Sequence, residues 1–311
     1  MKIYILDAFH PAGVDFIGRN AEVVRWDDPR SAQWHEDADG LMVRMKPLTA
    51  TDFARAKRLK AVAKQGVGVN TIDLAAAKAR GIVVCNAPGI NSEAVAELAL
   101  SLALSVARRV AELDRLIRAG QPVERPKFLG MELAGKTVGV IGMGNIGTRI
   151  AREFVRAFDC SIVAYDPYVP ASAWSDIPHK RARTLNDLLP EADVLTIHVP
   201  LTDETRRMIG GRELARMKKS AILVNTARGG IVDEAALYEA LKAGRLFGAG
   251  LDVWERAEPP PPDHPLLSLP NVVATPHAGG GTLETQAKSS LFAAEQLLAV
   301  LNGAEPFNRV A

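Results

Sequence analysis

An α/β fold with two doubly wound parallel sheets is the fold class that this sequence predicts. Two observations support it. Short β-branched runs alternate with longer stretches of helical period over nearly all of the 311 residues, and this alternation is typical of parallel sheets covered by helices on both faces. The length is too great for one ordinary core and fits two domains of about 100 to 200 residues each.

Two series of strands can be separated along the chain. The first has strand candidates at KIYIL, EVVRW, GLMVR, LKAVAK and IVVCN, and it ends near Asn86. The second begins at KTVGVIG (136–142) and continues through SIVAYD, DVLTIHVP, SAILVN, FGAGLDV and NVVATP. The six strands of the second series match the number in a complete dinucleotide-binding sheet.

Long helical stretches flank the second series of strands. Apolar residues recur every three or four positions between Asn91 and Gly120, which predicts one long helix that Gly120 ends. Its first half is apolar on nearly every side, so we expect it to be buried between the domains. Another helical stretch covers 283–303. We expect that helix to return the chain to the first domain and so make that domain discontinuous.

Composition and charge exclude several classes of function. The 38 basic and 36 acidic residues leave a net charge of +2, which favours small molecules or copies of the chain as partners over nucleic acid or membrane. Cys85 and Cys160 are the only cysteines, so neither a disulfide framework nor a metal site is expected. The N-terminal apolar run is too short for a signal peptide, and no run of 18 apolar residues occurs, which predicts a cytoplasmic location.

A glycine-rich loop follows the first strand of the second series. Gly142, Gly144 and Gly147 form the pattern G-x-G-x-x-G after a strand and at the start of a helix. Such glycines permit a tight turn, a close approach of the backbone to a pyrophosphate and close packing of the helix. Asp166 ends the next strand, where an acid binds ribose hydroxyls and repels a 2′-phosphate. The loop and the acid predict a Rossmann domain that prefers NAD to NADP.

Residues suited to proton transfer and anion binding follow the later strands. Arg228 comes after SAILVN, several acids come after FGAGLDV, and His277 comes after NVVATP. The carboxyl ends of parallel strands meet at one edge of a sheet, so these residues should converge. An imidazole has an ordinary pKa of about 6.5 and suits a proton donor, while a guanidinium suits a carboxylate or keto oxygen.

These motifs together resemble the D-isomer-specific 2-hydroxyacid dehydrogenases. Seven segments occur in that family's order: KQGVGVNTIDL, NAPGINSEAVAEL, LAGKTVGVIGMGNIG, IHVPLTDETRRMI, VNTARGGIVDE, GAGLDV and PNVVATPH. The resemblance implies a flavodoxin-like substrate domain over 1–97 plus 285–311 and a Rossmann NAD-binding domain over 98–284. It also implies a homodimer formed through the NAD domains, with 103–135 as the dimerisation arm.

The resemblance further implies an NAD-dependent enzyme that reduces small 2-keto acids reversibly to D-2-hydroxy acids. Its implied catalytic residues are Arg228, Glu258 and His277, with His277 as proton donor and both Arg228 and His277 touching the substrate. We expect no proton transfer from His198, and His10, His35, His179 and His264 receive no role. The implied cofactor contacts are Gly142, Gly144, Asn145, Ile146, Gly147, Asp166, His198, Val199, Pro200, Thr205, Thr226, Ala227, Arg228, Asp252, His277 and Gly279.

One position departs from the family's pattern. Family members commonly read D-V-F-E-x-E-P, and here the acid before the proline, Glu258, stands one residue further along than in that pattern. We expect the extra residue to loop out at Arg256 or Ala257, because loops accept insertions at small energetic cost. Glu258 would then partner His277. Glu255 stays open as the alternative partner.

The first domain supplies the expected substrate contacts. The resemblance implies that the backbone N–H groups of Val67 and Gly68 hold the substrate carboxylate. Arg44 either contacts the substrate or covers a strand end, and Lys46 and Asn91 are further candidates. Short substrates such as glyoxylate or hydroxypyruvate are favoured because the sequence ends before the place of an appended regulatory domain, and 3-phosphohydroxypyruvate stays open. The alternative function is an NADH-responsive scaffold of the same fold.

Overall fold

The chain forms two compact units in the computed structural model. The described residues are 1–170 and 172–311. The units consist of Met1–Asn91 with Gly280–Ala311 and of Ser92–Gly279. The sequence interpretation divides the chain slightly later, at 97/98 and 284/285. The first boundary differs because the helix that begins at Ser92 belongs whole to the second unit.

A parallel sheet of five strands forms the centre of the first unit, in the order β2-β1-β3-β4-β5. The strands are β1 Lys2–Ile5, β2 Glu22–Val24, β3 Gly40–Val43, β4 Ala61–Lys64 and β5 Val83–Cys85. The helices are α1 Pro11–Gly18, α2 Trp34–Asp37, α3 Ala50–Arg55, α4 Leu74–Ala79 and α11 Leu283–Leu301. This strand order is that of flavodoxin-like folds, as the sequence analysis predicts.

A parallel sheet of seven strands forms the centre of the second unit, in the order β12-β11-β10-β9-β6-β7-β8. The strands are β6 Thr137–Ile141, β7 Ser161–Tyr165, β8 Lys180–Arg181, β9 Val194–Ile197, β10 Ile222–Asn225, β11 Gly248–Leu251 and β12 Val272–Ala274. The helices are α5 Ser92–Ala107, α6 Val110–Arg118, α7 Asn145–Phe158, α8 Leu185–Leu188, α9 Gly211–Leu214 and α10 Glu234–Lys242. The doubly wound class is therefore confirmed, and the strand missing from the prediction is the two-residue β8.

The stretch 91–120 forms two helices rather than the single helix that its periodicity predicts. The chain turns at Arg109, whose φ of 54° lies in the left-handed region. The guanidinium of Arg109 pairs with Glu112 at 2.9 Å and lies over the ring of Phe128, 5.3 Å from its centroid. Contacts with a segment outside the helix therefore override a continuous helical pattern.

The central strands of the second unit are buried on both faces. Every residue of β9, β10 and β11 is buried, as expected for a sheet covered on both sides. Polar side chains consequently concentrate in the loops beyond the strand ends. None of the helices among the described residues is both long enough and apolar enough to cross a membrane.

Candidate active site

The loops beyond the carboxyl ends of the second sheet gather most of the predicted site residues. Neighbouring strands are parallel and in register from β12 through to β7, so the loops that follow them emerge at one edge. The first residues beyond β6, β7, β9, β10, β11 and β12 are Gly142, Asp166, His198, Thr226, Asp252 and Thr275. This edge is where open α/β sheets bind ligands.

The glycine-rich loop has the close contacts that a dinucleotide site requires. Gly142 has φ +95°, and a Cβ there would lie 2.5 Å from the carbonyl oxygen of His198. A Cβ on Gly147 would lie 2.0 Å from the carbonyl oxygen of Gly142. Gly144 faces open space, and α7 begins after it without a side-chain cap. The first N–H groups of this helix thus have no side-chain acceptor, which suits a pyrophosphate.

Asp166 is fixed beside that loop. One carboxylate oxygen accepts the N–H of Met143 at 2.9 Å, and the other accepts the N–H of Tyr168 at 2.9 Å. Arg181 also stabilises this turn, because it donates to the carbonyl oxygen of Asp166 at 2.8 Å. The carboxylate is therefore held at the end of β7, next to the glycine-rich loop, where it can accept ribose hydroxyls and repel a 2′-phosphate.

His198 is unsuited to proton transfer. Its Nε2 is hydrogen-bonded to the hydroxyl of Thr196 at 2.9 Å, whereas its Nδ1 is buried without a partner. The residue as a whole keeps some exposed surface, but its Nδ1 is enclosed. Burial lowers the pKa of His198 to about 3. The ring is therefore neutral at ordinary pH, in keeping with the exclusion made from the sequence.

His277 and Glu258 form a hydrogen-bonded pair. His277 donates from Nδ1 to one carboxylate oxygen of Glu258, and the N–H of Trp254 donates to the other oxygen at 3.2 Å. The ring of His277 is exposed, and its Nε2 has no partner among the residues described. His277 has φ +60°, a left-handed conformation that non-glycine residues adopt mainly where their surroundings enforce it. The pair thus presents one free ring nitrogen to solvent.

Glu255 is paired with residues other than His277. Its carboxylate pairs with Arg207 at 2.9 Å, and its backbone N–H donates to Glu234 at 2.7 Å. Residues 255–258 are all exposed, and the looping out of an extra residue at Arg256 or Ala257 stays a prediction. The structure therefore brings Glu258, and not Glu255, to the histidine.

Asp252 braces the histidine loop. Its side chain is fully buried, and its carboxylate accepts hydrogen bonds from the hydroxyl of Thr275 and the N–H groups of Ala278 and Gly279, at 2.6, 2.7 and 2.9 Å. Its carbonyl oxygen also accepts the N–H of His277 at 2.8 Å. These contacts hold His277 in its left-handed conformation. The contact of Asp252 with a cofactor stays a prediction.

Arg228 follows β10 in a loop that touches the loop of Trp254. Asn225, which ends β10, accepts the N–H of Ala227 and donates to the carbonyl oxygen of Arg228, both at 3.1 Å. A Cβ on Gly229 would lie 1.9 Å from the carbonyl oxygen of Trp254, so this glycine lets the two loops touch. Arg228 itself donates from Nη1 to Ala227 at 2.6 Å. Its other N–H groups have no partner among the residues described.

The remaining expected cofactor residues have mixed surroundings. Thr226 has a buried hydroxyl with no partner among the residues described. Thr205 instead donates to the carbonyl oxygen of Pro200 at 2.6 Å and so stabilises its own loop. The residues Asn145 and Ile146 begin α7, and Val199, Ala227 and Gly279 lie in the loops described above. Their contacts with a cofactor stay predictions.

The expected substrate residues of the first unit lie beyond strands of its own sheet. Arg44 follows β3 and is exposed, and its backbone N–H donates to Asp7 at 2.6 Å. Val67 is 41% exposed, and its carbonyl oxygen accepts from the side chain of Asn86 at 2.7 Å. Gly68 is half-buried beside it. Their contacts with a substrate also stay predictions.

Three side chains that support the site escape the sequence reasoning. They are Asn225, Glu234 and Trp254. Asn225 leaves a recognisable signal, because a polar residue at the end of a wholly apolar strand requires a partner for its amide. Glu234 and Trp254 leave no such signal in the sequence. Their contacts join segments that are distant along the chain, or they form only in one conformation of the loop.

The second unit matches a known family. The model described as "D-isomer specific 2-hydroxyacid dehydrogenase, NAD binding domain" covers residues 100–279. The chain therefore belongs to the D-isomer-specific 2-hydroxyacid dehydrogenase family, and NAD is the cofactor of its second unit. Both identifications made from the sequence motifs are confirmed.

Individual relatives agree with this family. A D-3-phosphoglycerate dehydrogenase of Methanocaldococcus jannaschii is 42% identical over 97% of this chain and 58% of that protein. A glyoxylate reductase of Aeropyrum pernix is 40% identical over 99% of this chain and 95% of that one. The crystal structure of TT0316 protein from Thermus thermophilus has a TM-score of 0.89 and 41% identity, with both chains fully covered. The chain spans under three fifths of the length of the phosphoglycerate dehydrogenase.

Proposed function

We propose that the protein is an NAD-dependent reductase of small 2-keto acids that runs reversibly to the D-2-hydroxy acid. One observation carries the proposal. His277 is hydrogen-bonded to Glu258 through Nδ1 and keeps Nε2 free. It follows β12, while Asp252 follows the neighbouring strand β11 and Arg228 follows the next strand, β10. A proton donor, its orienting carboxylate and an anion-binding group at one sheet edge are the set that reduction of a keto acid requires.

His277 is assigned the role of proton donor to the C2 oxygen of the keto acid. NADH, when bound, supplies the hydride that goes to C2 of the keto acid. Negative charge then develops on the C2 oxygen, and Nε2 of His277 donates a proton to it. Glu258 accepts the hydrogen bond from Nδ1 and so fixes the orientation of the ring. In the reverse direction the neutral ring takes the proton back.

Arg228 is assigned to the substrate's oxygens. Its unpartnered N–H groups form a planar fork that binds a carboxylate or a keto oxygen with two parallel hydrogen bonds. The same charge stabilises the developing alkoxide. The uncapped start of α7 would hold the cofactor's pyrophosphate, and Asp166 would hold its adenosine ribose.

The substrate class is proposed from the first unit and from the relatives' names. Backbone N–H groups at Val67 and Gly68 would hold the substrate carboxylate. Arg44 is exposed, and its guanidinium suits an anionic group of a substrate. We propose glyoxylate and hydroxypyruvate as substrates, with 3-phosphohydroxypyruvate as the one whose turnover depends on Arg44.

A panel of keto acids tests the function. NADH oxidation is followed at the absorbance of the reduced nicotinamide with glyoxylate, hydroxypyruvate, pyruvate, 2-oxoglutarate and 3-phosphohydroxypyruvate. We expect turnover with at least one short keto acid, and Arg44→Ala to impair the phosphorylated substrate selectively. Tight NADH binding without turnover of any keto acid would overturn the proposal and favour the scaffold.

A homodimer through the second unit is also proposed. Val110 and Ile117 on α6 and Leu129 beyond it are exposed apolar side chains, at 53%, 68% and 72% of their surface. Apolar side chains exposed in one region are typical of a protein interface. Sedimentation velocity should give a dimer, and Ile117→Asp should weaken it. The cytoplasmic location stays a prediction.

A further inference from the structure

A second histidine–glutamate pair lies behind the first. Nε2 of His264 donates to the carboxylate of Glu234 at 3.2 Å, and only 16% and 15% of these two side chains are exposed. The sequence analysis gives neither residue a role. The enclosed pair differs from the exposed pair of His277 and Glu258, so it is not built to exchange protons with a ligand.

Both members of this pair hold the loop that carries Glu258. The second carboxylate oxygen of Glu234 accepts the N–H of Glu255 at 2.7 Å. The ring of His264 packs edge-on against the ring of Trp254, with centroids 5.3 Å apart and planes at 74°. Trp254 in turn donates its backbone N–H to Glu258 at 3.2 Å. Two consecutive residues of the loop are therefore fixed by the buried pair.

A further contact fixes Trp254 from the other side. Its indole N–H donates to the carbonyl oxygen of Thr275 at 3.0 Å, two residues before His277. The indole thus lies between His264 and the segment that leads into His277. Displacement of this ring would disturb both partners of the catalytic pair at once.

The surroundings of the two ring nitrogens of His264 indicate which of them carries the proton. Nδ1 is buried and has no protein partner, whereas Nε2 faces a carboxylate. A buried N–H without an acceptor is costly, while a bare ring nitrogen loses less. The neutral ring with its proton on Nε2 therefore fits the site. His277 uses the opposite nitrogen, Nδ1, and keeps Nε2 for the substrate.

We propose that His264 and Glu234 are positioning residues for the proton-transfer pair, acting through Trp254 and the N–H of Glu255. The inference rests on the proposed function, because its effect is exerted on the pair assigned to proton transfer. Glu234 is the first residue of α10, where the helix dipole favours a carboxylate, so the brace is anchored to a rigid element. Without it, Glu258 would sample orientations that no longer direct Nε2 of His277.

The test compares matched substitutions. Glu234→Gln leaves the shape but cannot accept from both N–H donors, and we expect kcat to fall about tenfold with the KM for NADH unchanged. Glu239→Gln is the control, because Glu239 is exposed on the same helix. His264→Leu should lose a similar factor. His264→Gln should recover most of it, since its amide can still donate to Glu234.

Nitrogen-15 NMR of the histidine rings adds a readout that does not depend on turnover. The signals lost in His264→Gln should be those of a neutral ring protonated on Nε2. A ring protonated on Nδ1, or an unchanged kcat in Glu234→Gln and His264→Leu when the unsubstituted enzyme turns over, would overturn the positioning role. Absence of turnover in the unsubstituted enzyme would instead refute the proposed function, while the NMR result would still decide the geometry of the pair.

Discussion

Replacement of Glu258 by glutamine is the sharpest perturbation of the proposed mechanism. The glutamine amide can still accept the N–H of Trp254, so the loop should keep its shape. It removes the charge that accepts the hydrogen bond from Nδ1 of His277. Hydrogen bonds to charged groups contribute about 1.5–3 kcal/mol, and each 1.4 kcal/mol is a factor of ten. We therefore expect kcat/KM for the keto acid to fall about 10- to 100-fold.

Steady-state reduction of the keto acid, measured across a range of pH, is the assay. Reduction requires a proton from Nε2 of His277, and the carboxylate of Glu258 orients that ring. Loss of the carboxylate should therefore lower turnover at every pH measured. Glu255→Gln is the matched control, because it breaks only an exposed pair with Arg207. Such pairs contribute about 0–1 kcal/mol, so turnover should change by less than about fivefold.

The comparison between the two variants decides the assignment. Equal and small losses in Glu258→Gln and Glu255→Gln would refute the reasoning. A larger loss in Glu255→Gln would show that the loop rearranges when ligands bind.

Four further predictions follow. His277→Ala should lower turnover by about 10²–10⁴ while NADH binding, measured by fluorescence titration, persists. Asp166→Ala should raise the ratio of kcat/KM with NADPH to that with NADH at least about tenfold, because a repulsive charge is removed. Asp252→Asn should cost about 1–3 kcal/mol of the free energy of unfolding in denaturant titrations, because its amide would face an N–H donor. Burial and two carboxylates of α5 raise the pKa of Glu153 from 4.5 to about 7, so its destabilising charge appears as pH rises through that interval. Glu153→Gln should therefore raise the melting temperature at pH 8 but not at pH 4.5.

The fold and the strand-end residues follow from local patterns in the sequence. Each buried strand is a short apolar run, and the residue after it is marked by a change to glycine or a polar side chain, as at Gly142, Asp166 and Asp252. Parallel order then places these residues at one sheet edge. The prediction succeeds because strand length and the βαβ connection are set by neighbours along the chain.

The break at Arg109 shows where local patterns are insufficient. Apolar spacing continues across this residue, so periodicity alone extends the helix. The turn is stabilised instead by an ion pair to Glu112 and by Phe128, which is 19 residues away. Helix propensity differs by less than about 1 kcal/mol per residue among ordinary residues, so a few such contacts are sufficient to override it.

The choice between Glu255 and Glu258 also depends on contacts between distant parts of the chain, and it has a functional consequence. The proline that follows Glu258 favours it in the sequence, but either acid can reach a histidine from a flexible loop. What separates them is that Glu255 is held by Arg207 through its side chain and by Glu234 through its backbone, 48 and 21 residues away along the chain. With Glu255 held there, Glu258 is the acid that reaches His277. Supports outside the loop therefore fix its beginning, and removing Glu234 should affect catalysis although it lies behind the proton-transfer pair.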